Sequence, residues 1–302
     1  MNRHPLLEGL VDYAGLFPPA ELPFADAVTE YVTHRGEAES WMLGNFICPA
    51  GRLDEFLPYP EAFTERAPLT LSVLPGSGPD LAARVREARV VFDRFEQAFE
   101  GHADLRLLEA RMPAAVPSPV DLKEGAEAAG EVSLYLEWSP GLPELTDCLR
   151  ILGEARTAGA SNLGAKIRCG GTEAAAFPSI GQVADFILAC VAFDVPFKAT
   201  AGLHHPVRHD RDGFTMHGFL NVFGATVLAQ AGKSDPEVCA AVLAERDPDS
   251  FDLSDGGFSW RGHKVSADRV RDARSLAHAF GSCSFIEPRE DLAAARWFGF
   301  AR

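Results

Sequence analysis

Short apolar runs along the chain alternate with longer segments in which apolar residues recur every three or four positions. The short runs are typical of buried strands, and the longer segments are typical of amphipathic helices. The helical pattern covers residues 80–99, 142–159 and 179–193. Seven apolar runs predict strands, at residues 40–48, 69–74, 105–112, 132–138, 163–169, 195–200 and 280–285.

A strand followed by a helix, repeated about every 30 residues, predicts βαβ units and a parallel sheet. Six such units precede residue 205, and the run 280–285 is suited to a closing strand. The seventh unit is irregular, because residues 216–232 have the pattern of a buried helix and residues 251–266 that of a hairpin turning at Asp255-Gly256-Gly257. We therefore predict an α/β fold, a (β/α)8 barrel of the TIM type with an irregular seventh unit. An open doubly wound parallel sheet is the alternative.

The predicted barrel forms one domain over residues 1–302, without an interdomain linker. Its N-terminal segment, residues 1–36, contains the run "DYAGLFPP", which is too apolar for a free tail. We expect this segment to pack on the barrel. In a second interpretation, Asp12 and Tyr13 reach the rim of the pocket.

Composition restricts the classes of partner. The chain of 302 residues has a net charge of −15, which argues against nucleic acids and anionic membranes as partners. No apolar run reaches the roughly 18 residues of a membrane span, and the first residues lack the apolar core of a signal peptide. We expect a cytoplasmic protein with reduced, mostly buried cysteines, since the six cysteines are scattered without metal-site spacing. The sequence leaves open whether the protein forms a homo-oligomer.

Polar residues share one face at the ends of four successive predicted strands. Residues two apart on a strand point the same way, so the pairs fall together as Glu109 with Arg111, Tyr135 with Glu137, Lys166 with Arg168, and Lys198 with Thr200. In a parallel barrel these ends meet at the mouth, where catalytic residues lie. The pairs therefore predict a pocket with two acidic and four basic side chains, which suits a small anionic metabolite such as a carboxylate or phosphate.

The segments after the fifth and sixth predicted strands add candidates. Gly170 and Gly171 allow the backbone to approach a ligand, and their amides are suited to an oxyanion. Histidine suits acid–base chemistry near neutral pH, and we expect at least one histidine of the next loop to be functional. The candidates there are His204, His205, His209 and His217, with Asn221 one helical turn after His217.

The chain resembles an uncharacterised family of bacterial proteins of the TIM-barrel type. The resemblance lies in the segments "DYAGLFPPA", "AKIRCGG", "FKATAGLHHP", "MHGFLNVF" and "FGSCSFIEP", and it extends over most of the chain. The resemblance implies the barrel fold and gives no information about activity.

A second, local resemblance covers about six residues. The segment "FKATAG" is similar to the sixth-strand motif of deoxyribose-phosphate aldolases, whose lysine forms a Schiff base with the substrate carbonyl. The resemblance implies that Lys198 is the nucleophile. That family has a second lysine on the next strand, whereas the other lysine here, Lys166, comes on the preceding predicted strand. The aspartate relay of the family has no evident match, and Glu137 would have to serve instead.

Three functions follow from these residues. The favoured one is a lyase of the class I aldolase type without cofactor or metal. In it Lys198 attacks a carbonyl, and Lys166 lowers the pKa of Lys198. Protons are moved by Glu137, His204 or His205. Arg168 holds the anionic group of the substrate, and the other substrate-binding candidates around it are Arg111, Glu109, Thr200, Gly170, Gly171, His217 and Asn221.

The first alternative is a metal-dependent isomerase or hydrolase. In that interpretation Glu109, Glu137 and one or two of His204, His205 and His209 hold a divalent ion. Four cationic neighbours oppose a bound cation, so this alternative ranks second. The other alternative is a barrel that binds an anionic metabolite without turnover, or whose charges form a satisfied ionic core.

Overall fold

The computed structural model describes residues 3–171, 173–211, 213–253 and 257–294. Eight parallel strands close into a barrel, in the order β1-β2-β3-β4-β5-β6-β7-β13 and back to β1. The predicted (β/α)8 barrel is confirmed, and closure excludes the open doubly wound sheet. The strands in the described residues are β1 (Val11–Tyr13), β2 (Leu43–Pro49), β3 (Leu69–Leu74), β4 (Ala103–Arg111), β5 (Ser133–Trp138), β6 (Leu163–Arg168), β7 (Phe197–Thr200), β8 (His209–Arg211), β9 (Phe214–Met216), β10 (Phe251–Asp252), β11 (Phe258–Trp260), β12 (His263–Val265) and β13 (Ala277–Ser282).

The N-terminal segment supplies a barrel strand. β1 pairs in parallel with β13 on one side and with β2 on the other. Its three residues are all buried, so no alternation of polar and apolar positions marks it in the sequence. The segment therefore closes the barrel as well as packing on it. Strands β2 to β7 each lie one place further along the barrel than the sequence count gave, while β13 is the closing strand as predicted.

Helices cover the outside of the barrel. The segments predicted over 80–99, 142–159 and 179–193 form α2, α4 and α5, and Ser179 caps α5 in a capping box with Gln182. The helices in the described residues are α1 (Phe24–Arg35), α2 (Leu81–Ala98), α3 (Pro119–Ala129), α4 (Leu145–Thr157), α5 (Ile180–Ala192), α6 (Phe219–Gln230), α7 (Pro236–Ala244), α8 (Ala267–Leu276) and α9 (Ile286–Ala294). Short 3-10 helices lie at Ser40–Met42, Ala50–Phe56, Pro60–Ala62, Ala174–Ala176 and Pro248–Ser250.

The chain makes a long excursion between β7 and β13. It contains the hairpin β8–β9, the helices α6 and α7, the small antiparallel sheet β10-β11-β12, and α8. Residues 216–232 contain a buried helix, as predicted, because α6 is apolar on all sides and is covered all round. The hairpin predicted over 251–266 is formed by β10 and β11, and residues 254–256 of its turn lie outside the described residues.

The outer faces of β1 and β2 pack against α1 through an aromatic cluster. The rings of Tyr13, Tyr31 and Phe46 lie within 5.7 Å of one another between centroids. Aromatic side chains bury large apolar areas, so this cluster fixes both short strands against the helix layer. Among the described helices, none combines the length and the apolar composition needed to cross a membrane.

Candidate functional site

The charged residues at the ends of the barrel strands lie side by side on the inner face. The parallel register pairs Arg111 with Glu137, Glu137 with Lys166, and Lys166 with Lys198, across four strands from β4 to β7. Side-chain alternation in the sequence predicted this convergence, and the structure shows it. The chemical roles assigned to these residues remain predictions.

Lys198 is enclosed between two carboxylates. Its side chain is 1% exposed, and Nζ donates hydrogen bonds to Asp12 Oδ2 and Glu109 Oε1. Burial alone would lower the pKa of this ammonium, but the two carboxylates outweigh burial and raise the pKa. The structure therefore holds Lys198 as an ammonium, and the expectation that neighbouring cations lower its pKa is wrong.

Asp12 is held in place by two neighbours on β2. The backbone N of Asn45 donates to Asp12 Oδ1 at 2.6 Å, and Asn45 Nδ2 lies 3.2 Å from the same oxygen. Gly44 leaves room for this carboxylate, because a Cβ atom there would overlap Asp12 Oδ1. Burial raises the pKa of Asp12, and Lys198 opposes this rise. Asp12 thus belongs to the ionic cluster, whereas the hydroxyl of Tyr13 turns outward and donates to Glu30 on α1.

Lys166 occupies the equivalent position on the neighbouring strand. Its Nζ lies 2.7 Å from Glu109 Oε2 and 2.8 Å from Glu137 Oε2. Its side chain is 8% exposed, against 1% for Lys198, so both lysines are buried and Lys166 is the less enclosed of the two. Burial would lower the pKa of Lys166, and the two carboxylates outweigh burial and raise it.

Glu109 joins the two lysines. One of its oxygens accepts from Lys198 and from the hydroxyl of Ser72, and the other forms the ion pair with Lys166. Burial would raise the pKa of this carboxyl, but the two ammonium groups outweigh burial and lower it strongly. Glu109 is therefore a carboxylate that holds two lysines at a fixed separation.

Glu137 connects the cluster to the mouth of the barrel. Arg168 Nε and Nη2 each lie 3.2 Å from Glu137 Oε1, and Arg111 Nη2 lies 3.7 Å from the same oxygen. Arg168 is 33% exposed and Arg111 is 74% exposed, so both guanidinium groups are open to a ligand. The cluster has a formal charge of +1, from three carboxylates and four cations: Asp12, Glu109, Glu137, Lys166, Lys198, Arg111 and Arg168.

The barrel is closed above Lys198 by small and apolar residues. Thr200 is the next inward residue on β7, and Ile47 is the next inward residue on β2 after Asn45. Both side chains lie beside Gly281, where a Cβ atom would lie 2.9 Å from Ile47 Cδ1 and 3.3 Å from Thr200 Oγ1. Thr200 and Ile47 thus lie on the mouth side of Lys198.

A tyrosine–histidine pair closes the barrel one layer toward the N-terminal ends of the strands. The hydroxyl of Tyr135 bonds to Nδ1 of His278, whose Nε2 lies 2.7 Å from the carbonyl oxygen of Ser275. Burial lowers the pKa of His278 to about 4, so the ring is neutral and Nε2 carries its proton. Gly164 makes room for this pair, since a Cβ atom there would lie 2.6 Å from the Tyr135 ring.

The histidines of the loop after β7 pair with helix α9. His204 Nδ1 lies 3.0 Å from Glu287 Oε2, and His205 Nδ1 lies 2.5 Å from Asp291 Oδ2. Ser282, which also contacts His204, is paired with the outward-facing Tyr13 and so lies on the outer side of the barrel wall. These contacts tie the loop to α9, and the catalytic role predicted for His204 and His205 stays a prediction.

His217 and Asn221 are buried and bond to backbone groups. His217 Nε2 lies 2.8 Å from the carbonyl oxygen of Pro178, and Asn221 Nδ2 donates to the carbonyl oxygens of Val242 and Glu245 at 2.7 and 2.9 Å. A buried polar side chain must be hydrogen-bonded, and these contacts meet that need. These contacts hold α6 against its neighbours, and the substrate-binding role predicted for His217 and Asn221 stays a prediction.

The glycine pair after β6 has a packing explanation. A Cβ atom on Gly170 would lie 2.7 Å from the Cα atom of Gly202, and one on Gly171 would lie 2.7 Å from the Cβ atom of Ala176. The loops after β6 and β7 therefore touch through their backbones. This close packing is enough to explain the two glycines, and a bound oxyanion is not needed to explain them.

The described residues do not assemble the ligands of the metal alternative. Within 3–171, 173–211, 213–253 and 257–294, no three side chains of the metal-binding types His, Cys, Asp and Glu form a group that could hold an ion. Glu109 and Glu137 face ammonium and guanidinium groups, while His204 and His205 face α9. The sequence-based ligand set is therefore split between two places.

Some residues of the cluster were missed by sequence reasoning. Ser72 shares a strand face with Thr70 in the run "LTLSVL", so alternation on β3 was a signal that could have found it. Asn45 and Gly44 had no such signal. Asn45 binds Asp12 through its backbone amide, and Gly44 leaves room for the Asp12 carboxylate because it has no side chain. No protein-family model matches this chain, and no curated protein is significantly similar to it.

Proposed function

We propose that this protein is a lyase of the class I aldolase type that acts on a small anionic carbonyl compound through a Schiff-base lysine. The observation that carries the proposal is the pair of lysines, Lys166 and Lys198, which are adjacent in register on β6 and β7 and share Glu109. Arg168 stands two residues from Lys166 on the same face, where an anionic group of the substrate would bind.

The nucleophile in this proposal is Lys166, whereas the sequence favoured Lys198. An attacking amine has to meet the substrate carbonyl, and Lys166, with 8% of its side chain exposed, is less enclosed than Lys198, with 1%. Lys198 lies beneath Thr200 and Ile47 between two carboxylates. Its role is that of a fixed positive charge next to the reacting lysine.

The strand count supports the same assignment. The resemblance to deoxyribose-phosphate aldolases implies a Schiff-base lysine on the sixth strand and a second lysine on the next. With β1 included, Lys166 lies on the sixth barrel strand and Lys198 on the seventh. The segment "FKATAG" then falls on the seventh strand, so the local match and the strand count disagree. We follow the strand count because the accessibility of the two lysines agrees with it.

The reaction begins with loss of a proton from Lys166. Glu137 Oε2, 2.8 Å from Nζ, is positioned to accept it. The free amine attacks the carbonyl carbon, and loss of water from the adduct gives an iminium ion. In the cleavage direction, a carboxylate takes the proton of a β-hydroxyl group, the carbon–carbon bond breaks to form a carbonyl product, and its electron pair enters the iminium to give an enamine. Protonation of the enamine and hydrolysis release the second product and regenerate Lys166.

A protein that binds an anionic metabolite without turnover is the second candidate. The raised pKa of both lysines favours it, because a lysine held as an ammonium is a poor nucleophile. The two candidates agree on the cationic face of Arg168 and Arg111. They differ in whether a covalent adduct forms.

Borohydride trapping separates the two candidates. The protein is incubated with small aldehydes, 2-oxo acids and sugar phosphates, reduced, and examined by intact mass and peptide mapping. The chain has five lysines, of which Lys123, Lys233 and Lys264 are exposed, so the modified peptide identifies the nucleophile directly. We expect one adduct, on Lys166.

Variants that keep the positive charge provide the controls. Lys166→Arg should abolish the adduct, whereas Lys123→Arg, on the exposed face of α3, should leave it unchanged. An adduct on Lys198 alone would reverse the assignment of the nucleophile. Binding of these anions, seen as a thermal shift, with no adduct on any lysine would favour the binding protein.

A further inference from the structure

We infer that the donor substrate of this site, the compound whose carbonyl Lys166 attacks in the condensation direction, is a 2-oxo acid with an apolar chain. This inference rests on the proposed function and concerns the shape and polarity of the compound that Lys166 would attack. It comes from an asymmetry of the barrel mouth, whose two opposite walls have different chemistry.

One wall is cationic and lies close to the nucleophile. Lys166 and Arg168 are two residues apart on β6, and both contact the carboxylate of Glu137. Arg111 reaches the same carboxylate from β4. Because the ammonium and the guanidinium groups converge on one carboxylate, an anion bound by Arg168 lies near the carbonyl attacked by Lys166. The anionic group and the carbonyl carbon of the substrate must therefore be close together, as they are in a 2-oxo acid, whose carboxylate is bonded directly to the carbonyl carbon.

The opposite wall is apolar. At the C-terminal ends of β2 and β3, the inward positions hold Ile47, Pro49 and Leu74, which follow the inward Asn45 and Ser72 by two residues each. Ile47 is buried, whereas Pro49 and Leu74 are half-buried and so remain open to a ligand. Gly281 on β13 adds no side chain to this wall. The wall therefore accepts carbon chains and offers them no charge.

The segment that follows β1 is apolar. Its backbone is fixed to the barrel where Ala14 N donates to the carbonyl oxygen of Ser282, the last residue of β13. Ala14 and Leu16 are buried and Phe17 is half-buried. The segment therefore leaves the C-terminal end of β1, the end of a parallel barrel at which the mouth lies.

The described residues of the apolar wall offer a ligand little hydrogen bonding. Ile47, Pro49 and Leu74 have no hydrogen-bonding side-chain group, and the hydroxyl of Ser72 is committed to Glu109. A sugar chain bound there would lose water from several hydroxyl groups without gaining equal partners, which is costly. An apolar chain has no hydrogen bonds to water to lose, and its transfer from water to the apolar wall is favourable.

The test compares trapping of a homologous series with borohydride. Pyruvate, 2-oxobutanoate, 2-oxopentanoate and 2-oxohexanoate are supplied at equal concentration, with 3-hydroxypyruvate as the polar match of 2-oxobutanoate, because its hydroxyl is not the β-hydroxyl that the proposed cleavage requires. We expect the yield at limiting concentration to rise about fourfold for each added methylene, the ratio that burying one methylene gives. The hydroxylated compound should fall below its apolar match.

A variant in the wall and a matched surface variant complete the experiment. Leu74→Ser should flatten the dependence on chain length, because it places a hydroxyl on the apolar wall. Leu57→Ser changes an exposed leucine outside the barrel and should leave the dependence steep. Equal yields across the series, or preference for the hydroxylated compound, would overturn this inference and leave the Schiff-base proposal intact. The absence of every adduct would overturn both.

Discussion

Lys166 and Lys198 are direct neighbours in the register of β6 and β7, and Lys198 is the more enclosed of the two, with 1% of its side chain exposed against 8% for Lys166. Glu109 binds both ammonium groups and so couples their charges. The difference between the two lysines arises from their second carboxylate. Lys198 is paired with the enclosed Asp12, and Lys166 is paired with Glu137, which also faces the exposed Arg168.

The pairing predicts how adduct formation depends on pH. Glu109 and Glu137 raise the pKa of Lys166 above its usual value of 10.5, so the free amine is a minor species near neutral pH. The amine fraction then grows about tenfold for each pH unit below that pKa. We expect the initial rate of imine formation with a 2-oxo acid to rise about tenfold per unit between pH 7 and pH 9. A rate that levels off between pH 7 and 8.5 would show that the amine is already free.

Gly44 is expected to be sensitive to substitution because of the carboxylate next to it. In Gly44→Ala, the new Cβ atom would displace Asp12 Oδ1 and weaken its contact with Lys198. Breaking one side of a buried ion pair costs about 3 kcal/mol. We therefore expect the free energy of unfolding in urea to fall by roughly that amount.

Gly51 offers a matched control for this substitution. It lies in the 3-10 helix Ala50–Phe56, and a Cβ atom there would meet nothing within 4 Å. Gly51→Ala should change the free energy of unfolding by less than about 1 kcal/mol. Equal losses in the two variants would mean that Gly44 is not required by Asp12.

Arg168 is expected to set the affinity for the anionic group. Arg168→Gln removes the guanidinium beside Lys166 and leaves Arg111 on Glu137. A hydrogen bond to a charged group contributes about 1.5–3 kcal/mol, so the concentration of 2-oxo acid that gives half-maximal trapping should rise about tenfold or more. Arg106→Gln is the control, because Arg106 pairs with Asp104 near the start of β4. A similar rise in both variants would point to a general effect of net charge.

The sequence predicted the inward row of charges because alternation on a strand depends on backbone geometry alone. Once Glu109, Glu137, Lys166 and Lys198 were placed on strands, their faces followed. The partners of Lys198 did not follow, because Asp12 comes from a distant segment with a strand of only three residues. A run so short has no visible period, and its assignment requires the tertiary structure.

The histidines show the opposite case. Four of them after β7 suggested acid–base chemistry, since histidine titrates near neutral pH. The role of each histidine depends on the polar group that its ring contacts, and these groups are distant in sequence. The partner of His205 is Asp291, and the partner of His217 is the carbonyl oxygen of Pro178. Residue type alone therefore did not predict these partners, and the acid–base role of the histidines stays a prediction.

His217 is expected to make stability depend on pH. Its ring is buried between Arg208 and the carbonyl oxygen of Pro178, and burial lowers its pKa from 6.5 to about 4. The unfolded chain therefore takes up a proton at a higher pH than the folded protein does. The contribution of His217 is complete above about pH 6.5 and is lost as the pH falls toward 4, by up to about 3 kcal/mol.

Urea unfolding between pH 7 and pH 4 tests this expectation with two variants of the same region. His217→Gln should lower stability at pH 7 and reduce the slope of stability against pH, because the titrating group is gone. Asn221→Ala removes a buried side chain that donates to Val242 and Glu245 and carries no titrating group. It should lower stability by a similar amount at each pH and keep the wild-type slope. A wild-type slope in His217→Gln would assign the pH dependence to other groups, of which the buried His278 would be the next to test.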